Sequence, residues 1–475
     1  MKEFLNNLTY SLIANVVNLI VSSGTSLLIP FILGDNIDQY GYYQIYLFYI
    51  AYIGFFHFGL CDGILLKDGG KDYESLNKND YSCQFYFLTM SELIISFLIA
   101  IIATFLGTNA DYVFIAIAFG VNLIVFLPRN FLSYILQSTS RLKENALITI
   151  IGRTIFFILV LVLLIIKNTD YRWFVASDLF GKIIALVYAC LKCKDIVLSK
   201  PTKLRFEINE IMENISVGIK LMLASVSSMV STGIIRVAIQ HYWNIEVYGK
   251  ISLTLTVTNL VLTFISAMAI VLYPTLRRMN IKSALMLYEP INDILMVLLF
   301  LSLFFCYPLQ KILLLFLPQY ADSLFYLPIL FPVCVYSAKV TMLIQTYMQV
   351  FRLESKILHI NIFSILITLF LTLISVVIMK NITFAIFSIL LSQAIRCVYA
   401  ETILSKTIKI KILKDCILEN VVVFFYVIVS FKIGMLNGTI SFVPIFLLYI
   451  FIKKVDYYND VDILRRNNII NNKCI

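Results

Sequence analysis

The chain has 475 residues, 60% of them hydrophobic and 14% charged, with a mean hydropathy of +0.90. Soluble domains carry about a quarter charged residues, so this composition excludes an ordinary soluble domain and indicates an integral membrane protein. The formal net charge of +10 would suit a nucleic-acid binder. The placement of the basic residues instead assigns that charge to membrane orientation, and no nucleic acid is expected.

Lys2 precedes an apolar run, Leu8–Phe31, that is too long for a signal-peptide core and has no small-residue cleavage site after it. It reads as an uncleaved first helix. Apolar runs of spanning length then recur between short polar breaks. They predict helices at about Tyr40–Leu66, Tyr81–Leu106, Tyr112–Gln137, Ala146–Ile166 and Trp173–Leu191. A second set follows at Ile215–Gln240, Val247–Leu272, Ile291–Leu315, Leu324–Val350, Ile357–Met379 and Ile382–Leu404. Two weaker runs, Ile417–Ile433 and Met435–Ile452, bring the total to about fourteen.

Lysine and arginine in the loops orient these helices. With the N-terminus in the cytoplasm, the inside segments hold 25 of the 38 basic residues. The outside loops hold only Lys167, Arg172, Lys380 and Lys432, and the rest lie within helices. This bias predicts a multi-pass protein with both termini cytoplasmic.

The two sets of six helices read as a duplication. Asp38-Gln39-Tyr40-Gly41 opens the second helix, and Glu246-Val247-Tyr248-Gly249 opens the eighth, 208 residues later. Arg141-Leu142-Lys143-Glu144 follows the fourth helix, and Arg352-Leu353-Glu354-Ser355 follows the tenth, 211 residues later. Six helices return the chain to the same side, so the repeats are parallel, an arrangement that places a substrate path between two lobes. The expected fold class is an all-α integral membrane protein. Two parallel six-helix repeats, residues 1–200 and 201–405, surround a central cavity, and residues 406–475 add two C-terminal helices and a tail.

On this plan the chain resembles the polysaccharide flippases (O-antigen or capsule) of the multidrug/oligosaccharidyl-lipid/polysaccharide exporter superfamily. The resemblance rests on Leu33-Gly34 with Tyr40-Gly41, on Gly59-Leu60-Cys61-Asp62-Gly63, on the loop Gln137–Lys143 and on Leu317-Pro318-Gln319-Tyr320. It covers about residues 1–405. Cys61-Asp62-Gly63 stands where the family has a plainer small-residue run. The resemblance implies export of a lipid-linked oligosaccharide across the bacterial cytoplasmic membrane, for O-antigen of lipopolysaccharide, capsule or a similar polymer. The implied partners are that lipid-linked glycan, membrane lipid and other polysaccharide-assembly proteins.

No catalytic constellation is visible, and neither an enzyme activity nor a cofactor is expected. Lys67-Asp68-Gly69-Gly70-Lys71 lacks the spacing of a phosphate-binding loop. Cys190 and Cys193 form one CxxC without a second pair, which is a weak metal or redox signal. The three histidines, His57, His241 and His359, are spread along the chain.

The informative residues are ions inside the helices, because a charge facing lipid is costly. The basic ones are Arg129, Arg153, Lys182, Lys220, Arg236, Lys250, Lys311, Lys339 and Arg396. Lys250 and Lys311 lie near the outer face and can snorkel. Asp178 and Lys182 are four residues apart and are expected to pair. Arg129 and Lys339 are 210 residues apart, so a basic residue stands at the same depth in each repeat. The resemblance implies a phosphate or pyrophosphate at the sugar–lipid junction, and the arginine fork suits two of its oxygens. Arg236, Arg129, Lys339 and Arg396 are therefore the candidate substrate-binding residues. The alternative is that they pair with acids or carbonyls and only hold helices together. Lys220 and Arg236 lie on nearly opposite sides of an ideal helix, 16 residues apart, and we place Arg236 in the cavity and Lys220 at the inner rim. Glu92, near the middle of the third helix, is the candidate coupling site for a proton or cation.

Two rival readings remain. A drug/cation antiporter of the same superfamily would need cavity acids, whereas basic residues outnumber acids here. A membrane polysaccharide polymerase or ligase would need a large outer loop, and the outer loops are short.

Overall fold

The computed structural model describes the chain apart from residues 1, 70, 140, 200–203, 267–275, 277–278, 280, 409–412 and 467–475. The described residues form helices and no strands. The helices follow the hydropathy pattern in order: α1 Lys2–Leu33, α2 Ile37–Ala51, α3 Leu60–Asp68, α4 Lys78–Leu106, α5 Ala110–Ser138, α6 Leu142–Ile166 and α7 Tyr171–Lys192. Then come α8 Leu204–Tyr242, α9 Ile245–Ser266, α10 Tyr288–Leu303 and α11 Cys306–Phe316. The segment Leu327–Val350, α12, is followed by α13 Glu354–Thr372, α14 Ile382–Ile408, α15 Leu413–Ile433 and α16 Met435–Arg466.

Among the described residues, eleven helices are long and apolar enough to cross a membrane, or twelve if α2 and α3 count as one broken span. The protein is thus a multi-pass membrane protein, while the count of fourteen is not reached by this measure. The helices α8 and α9 are where the count differs. They occupy two of the expected spans, and α9 carries Glu246 and Lys250 near its start. The end of the expected span Val247–Leu272 lies outside the described residues.

Polar caps start several helices. The side chains of Asn77, Asn109 and Asp170 accept hydrogen bonds from the backbone N–H two residues on, opening α4, α5 and α7. One predicted helix is broken. Between α2 and α3 a short 3-10 turn, Ile53–His57, ends at Phe58 and Gly59, both at positive φ, and the axis bends by 58°. Gly59 is at φ +86, and its N–H donates to His57 Nδ1 at 3.0 Å, which covers a group freed by the break. The small residues also admit α8. A Cβ on Gly63 would collide with the Asn214 carbonyl oxygen, and one on Gly218 would collide with that of Gly59.

The chain divides into two compact units, Met1–Met229 with Ile245–Gly249, and Val230–Asn244 with Lys250–Ile475. In the first, α5 packs against α2, α3, α4, α6 and α7. Its residues Leu123, Leu127, Phe131, Leu132, Ile135 and Leu136 are buried at helical spacing. The first unit also contains the meeting of the two Tyr-Gly motifs. A Cβ on Gly249 would lie 3.1 Å from the Cα of Gly41, so the residues matched in the two repeats touch each other. In the second unit, α12 is the buried centre. It includes a π-helical turn, Lys339–Ile344, and packs against α10, α13, α14 and α15.

Candidate functional site

The site in the first unit begins with a close helix crossing. On α6 and α7, Gly152 and Gly181 bring the backbones together: a Cβ on Gly181 would lie 2.6 Å from the Gly152 carbonyl oxygen. The next residue on each helix is basic, Arg153 and Lys182, and both line one cavity. The pair expected from spacing is formed, since Lys182 Nζ donates to Asp178 Oδ2 at 2.6 Å. It also donates to Asn122 Oδ1 at 2.8 Å. Tyr46 OH donates to the same Asp178 oxygen at 2.7 Å and accepts from Asn122 Nδ2 at 2.9 Å. The Asp178 carboxylate is thus held by a lysine and a tyrosine, and the network joins α2, α5 and α7.

The cavity has a volume of about 500 Å³. Its polar wall is formed by His57, Asp62, Asn130, Arg153, Asp178 and Lys182, and Phe55 and Phe126 add aromatic faces. At the other end Tyr134 OH approaches Asp62 Oδ1 at 3.5 Å and His57 Nε2 lies 3.9 Å from Asp62 Oδ2. Arg153 is exposed on this wall and makes no hydrogen bond or ion pair with another described residue. Its charged neighbours are Asp178, Lys182 and Arg129. Three cations around the Asp178 carboxylate make this end of the wall electropositive, with Asp62 at the other end, and the Arg153 fork is able to donate two hydrogen bonds to an anion.

Of the residues singled out from sequence, Arg129 lies beside this wall on α5, directly after Pro128. Its guanidinium sits 4.6 Å from the Phe126 ring centroid, and its Nε has no hydrogen-bond partner among the described residues. Glu92 on α4 is fully buried, and neither carboxylate oxygen has a partner among the described residues. The other three belong to the second unit. Lys339 is buried, bonded to Glu401 Oε1 at 2.7 Å and to Glu419 Oε2. Its ammonium therefore sits in an acid-paired core, the structural alternative considered above. Arg396 is buried and donates to Asn361 Oδ1 at 3.0 Å. Arg236 is half-buried on α8, and the Lys220 side chain lies outside the described residues. Arg129 and Lys339, linked in sequence by the repeat spacing, thus stand in different environments.

Sequence reasoning did not select Arg153, although it stands in the same list of buried-helix ions. A usable signal was present: Gly152-Arg153 and Gly181-Lys182 put a small residue before a basic one on consecutive helices. Close crossing at the glycines points both basic side chains to one place. The CxxC cysteines are free thiols. Burial pushes the Cys193 thiol up to about 11, and no group of side chains able to hold a metal is found among the described residues.

Solved structures share this fold. A multidrug resistance MATE family transporter of the MOP superfamily, in an inward-facing conformation, aligns with a TM-score of 0.59 at 14% identity, over 83% of this chain and 99% of that one. The lipid II flippase MurJ, in an inward closed conformation, aligns with a TM-score of 0.60 at 12% identity, over 96% and 99%. A mutant of the Vibrio cholerae MATE transporter VcmN aligns with a TM-score of 0.52 at 11% identity, over 86% and 97%. No curated protein sequence matches the chain. The sequence profile described as polysaccharide biosynthesis protein matches residues 4–280, more than half of the chain. On that match the chain belongs to the polysaccharide biosynthesis protein family, and it has the fold of MATE and MurJ transporters.

Proposed function

We propose that the protein moves a lipid-linked oligosaccharide, joined to its polyprenyl carrier through phosphate or pyrophosphate, across the bacterial cytoplasmic membrane for surface polysaccharide assembly. The observation that carries this reading is the electropositive wall of the first unit, with Arg153 free to take an anion. Lys182 and Arg129 add charge beside it, and Phe55, Phe126 and Tyr134 offer faces on which sugar rings stack. Arg236 and Arg396 remain proposed contacts for the head group elsewhere on its path. Lys339 is better assigned to the second unit's core. Transport would proceed by alternating access, with residues 1–200 and 201–405 as the two lobes. Both termini would be cytoplasmic, as the lysine and arginine bias requires.

Around Asp178 the three cations Arg153, Lys182 and Arg129 outnumber the single carboxylate, and this end of the cavity favours an anionic substrate over a drug cation. A strain lacking the protein tests the reading directly. It is expected to lose its surface polysaccharide and to accumulate the lipid-linked oligosaccharide on the cytoplasmic side. Unchanged surface polysaccharide, with no accumulated intermediate, overturns the assignment.

A further inference from the structure

We propose that the Lys339–Glu401–Glu419 cluster in the second unit is a proton-binding site, taking one proton from water onto one of its two glutamates. Its proton occupancy does not depend on what the protein exports.

The first ground is charge. One ammonium stands between two carboxylates, and no side chain of the three is more than 4% exposed. A buried triad with one cation and two anions carries an uncompensated charge, which a dry interior penalises heavily. The other titratable groups facing it are Tyr288 from α10, Tyr336 from α12, Cys397 from α14, Cys416 from α15 and Tyr449 from α16. None of these brings a second positive charge.

The second ground is a missing hydrogen. Asn292 Nδ2 donates to Glu419 Oε1 at 3.0 Å, and the Oδ1 of the same amide is buried without a hydrogen-bond partner among the described residues. The hydroxyls of Tyr288 and Tyr449 are buried in the same condition. Buried acceptors are almost always satisfied. With the Asn292 amide flipped, its oxygen would accept from an O–H on Glu419 Oε1, and that proton would balance the charge in the same step.

The backbone and the neighbouring side chains fit an exchange site. Lys339 opens the π-helical turn Lys339–Ile344, a distortion that recurs at functional positions. A second ion cluster leads towards water. Lys453 pairs with Asp293 at 2.6 Å and with Asp415 at 2.9 Å, and Asp415 stands one turn before Glu419 on α15. Side-chain exposure falls from 18% at Asp415 to 4% at Glu419 and 2% at Glu401. The carboxylates thus grow drier from Asp415 inwards, the order that proton entry to Glu419 requires. Once on Glu419 it removes one of the two ion pairs of Lys339, weakening the tie between α12 and α15. Two conformations that differ in this tie would then differ in proton affinity, which is the requirement for coupling.

Infrared difference spectroscopy of the full-length protein in lipid, titrated with pH, tests the proposal. The wild type should show the C=O band of a buried carboxylic acid that grows reversibly as pH falls. Either Glu401→Gln or Glu419→Gln should abolish it, because a single glutamate with Lys339 is already balanced. Glu92→Gln should leave it in place. If neither single variant folds, the uncharged triple variant Lys339→Met, Glu401→Gln, Glu419→Gln serves as the reference and should lack the band. A wild type without a titrating band, or a band that survives in these variants, overturns the proposal. A band lost only in Glu92→Gln assigns the proton to Glu92 and overturns it equally.

Discussion

The helices α5 and α12 each carry one of two basic residues, Arg129 and Lys339, that stand 210 residues apart in the sequence. Their surroundings differ. The most apolar stretch of α12 is 89% buried, against 39% for α5. In the second unit α15 packs onto this part of the chain, so that Tyr336 reaches Asn420 at 2.9 Å and Lys339 reaches Glu419. In the first unit α5 leaves Phe126 and Asn130 on a cavity wall. The C-terminal helices thus bring the carboxylate of Glu419 that pairs the lysine of one repeat, while the basic residues of the other outnumber the nearby acids. Two basic residues at the repeat spacing thus stand in a buried, acid-paired cluster in one unit and beside a cavity lined by further cations in the other.

Removing charge from each side separates these roles. Lys339→Ala leaves two buried carboxylates without a cation, so stability should fall by about 3–5 kcal/mol. Thermal melting of the purified protein reads this as loss of folded material. The triple variant Lys339→Met, Glu401→Gln, Glu419→Gln should recover most of that stability, since apolar or neutral replacement of a whole buried ion cluster is often neutral or better. If Lys339→Ala melts like the wild type, the contrast between the two repeats is lost.

Arg153→Ala should act in the opposite way. Melting should be unchanged, because the side chain makes no ion pair with a described residue. Export should slow by about 10- to 100-fold, the equivalent of one or two charge-assisted hydrogen bonds. Arg153→Lys should restore part of the rate, since charge returns without the fork.

A geometric test comes next in size. Gly181→Val places a side chain against the Gly152 carbonyl oxygen, at a cost of about 1–3 kcal/mol. It should also part α6 from α7 and lower export further than its effect on melting explains. The smallest expected effect is at Cys193. A thiol pushed up to about 11 has little thiolate at pH 8. Alkylation of the folded protein should be slow there and should accelerate only as pH approaches that value.

The helices were legible in the sequence because spanning length and apolar composition are set locally. The Asp178–Lys182 pair was legible for the same reason, being a spacing on one helix. The bend at Gly59 was not, since the glycines there acquire their meaning from Asn214 and Gly218, about 155 residues away in the chain. The partners of Lys339 were hidden in the same way. Glu401 and Glu419 lie on α14 and α15, and only packing decides that a basic residue at a given depth meets acids and not a cavity. Arg153 was passed over because its role depends on a crossing between two helices, not on any pattern within one.

The central claim is that the first unit's electropositive wall carries the anionic head of a lipid-linked glycan. The direct measurement uses proteoliposomes loaded with a fluorescent polyprenyl pyrophosphate-linked sugar and a membrane-impermeant quencher added outside. Wild-type protein should make the inner-leaflet probe accessible to the quencher. Folded Arg153→Ala protein, reconstituted at the same density, should leave it protected. Equal quenching by the wild type and Arg153→Ala would contradict the claim.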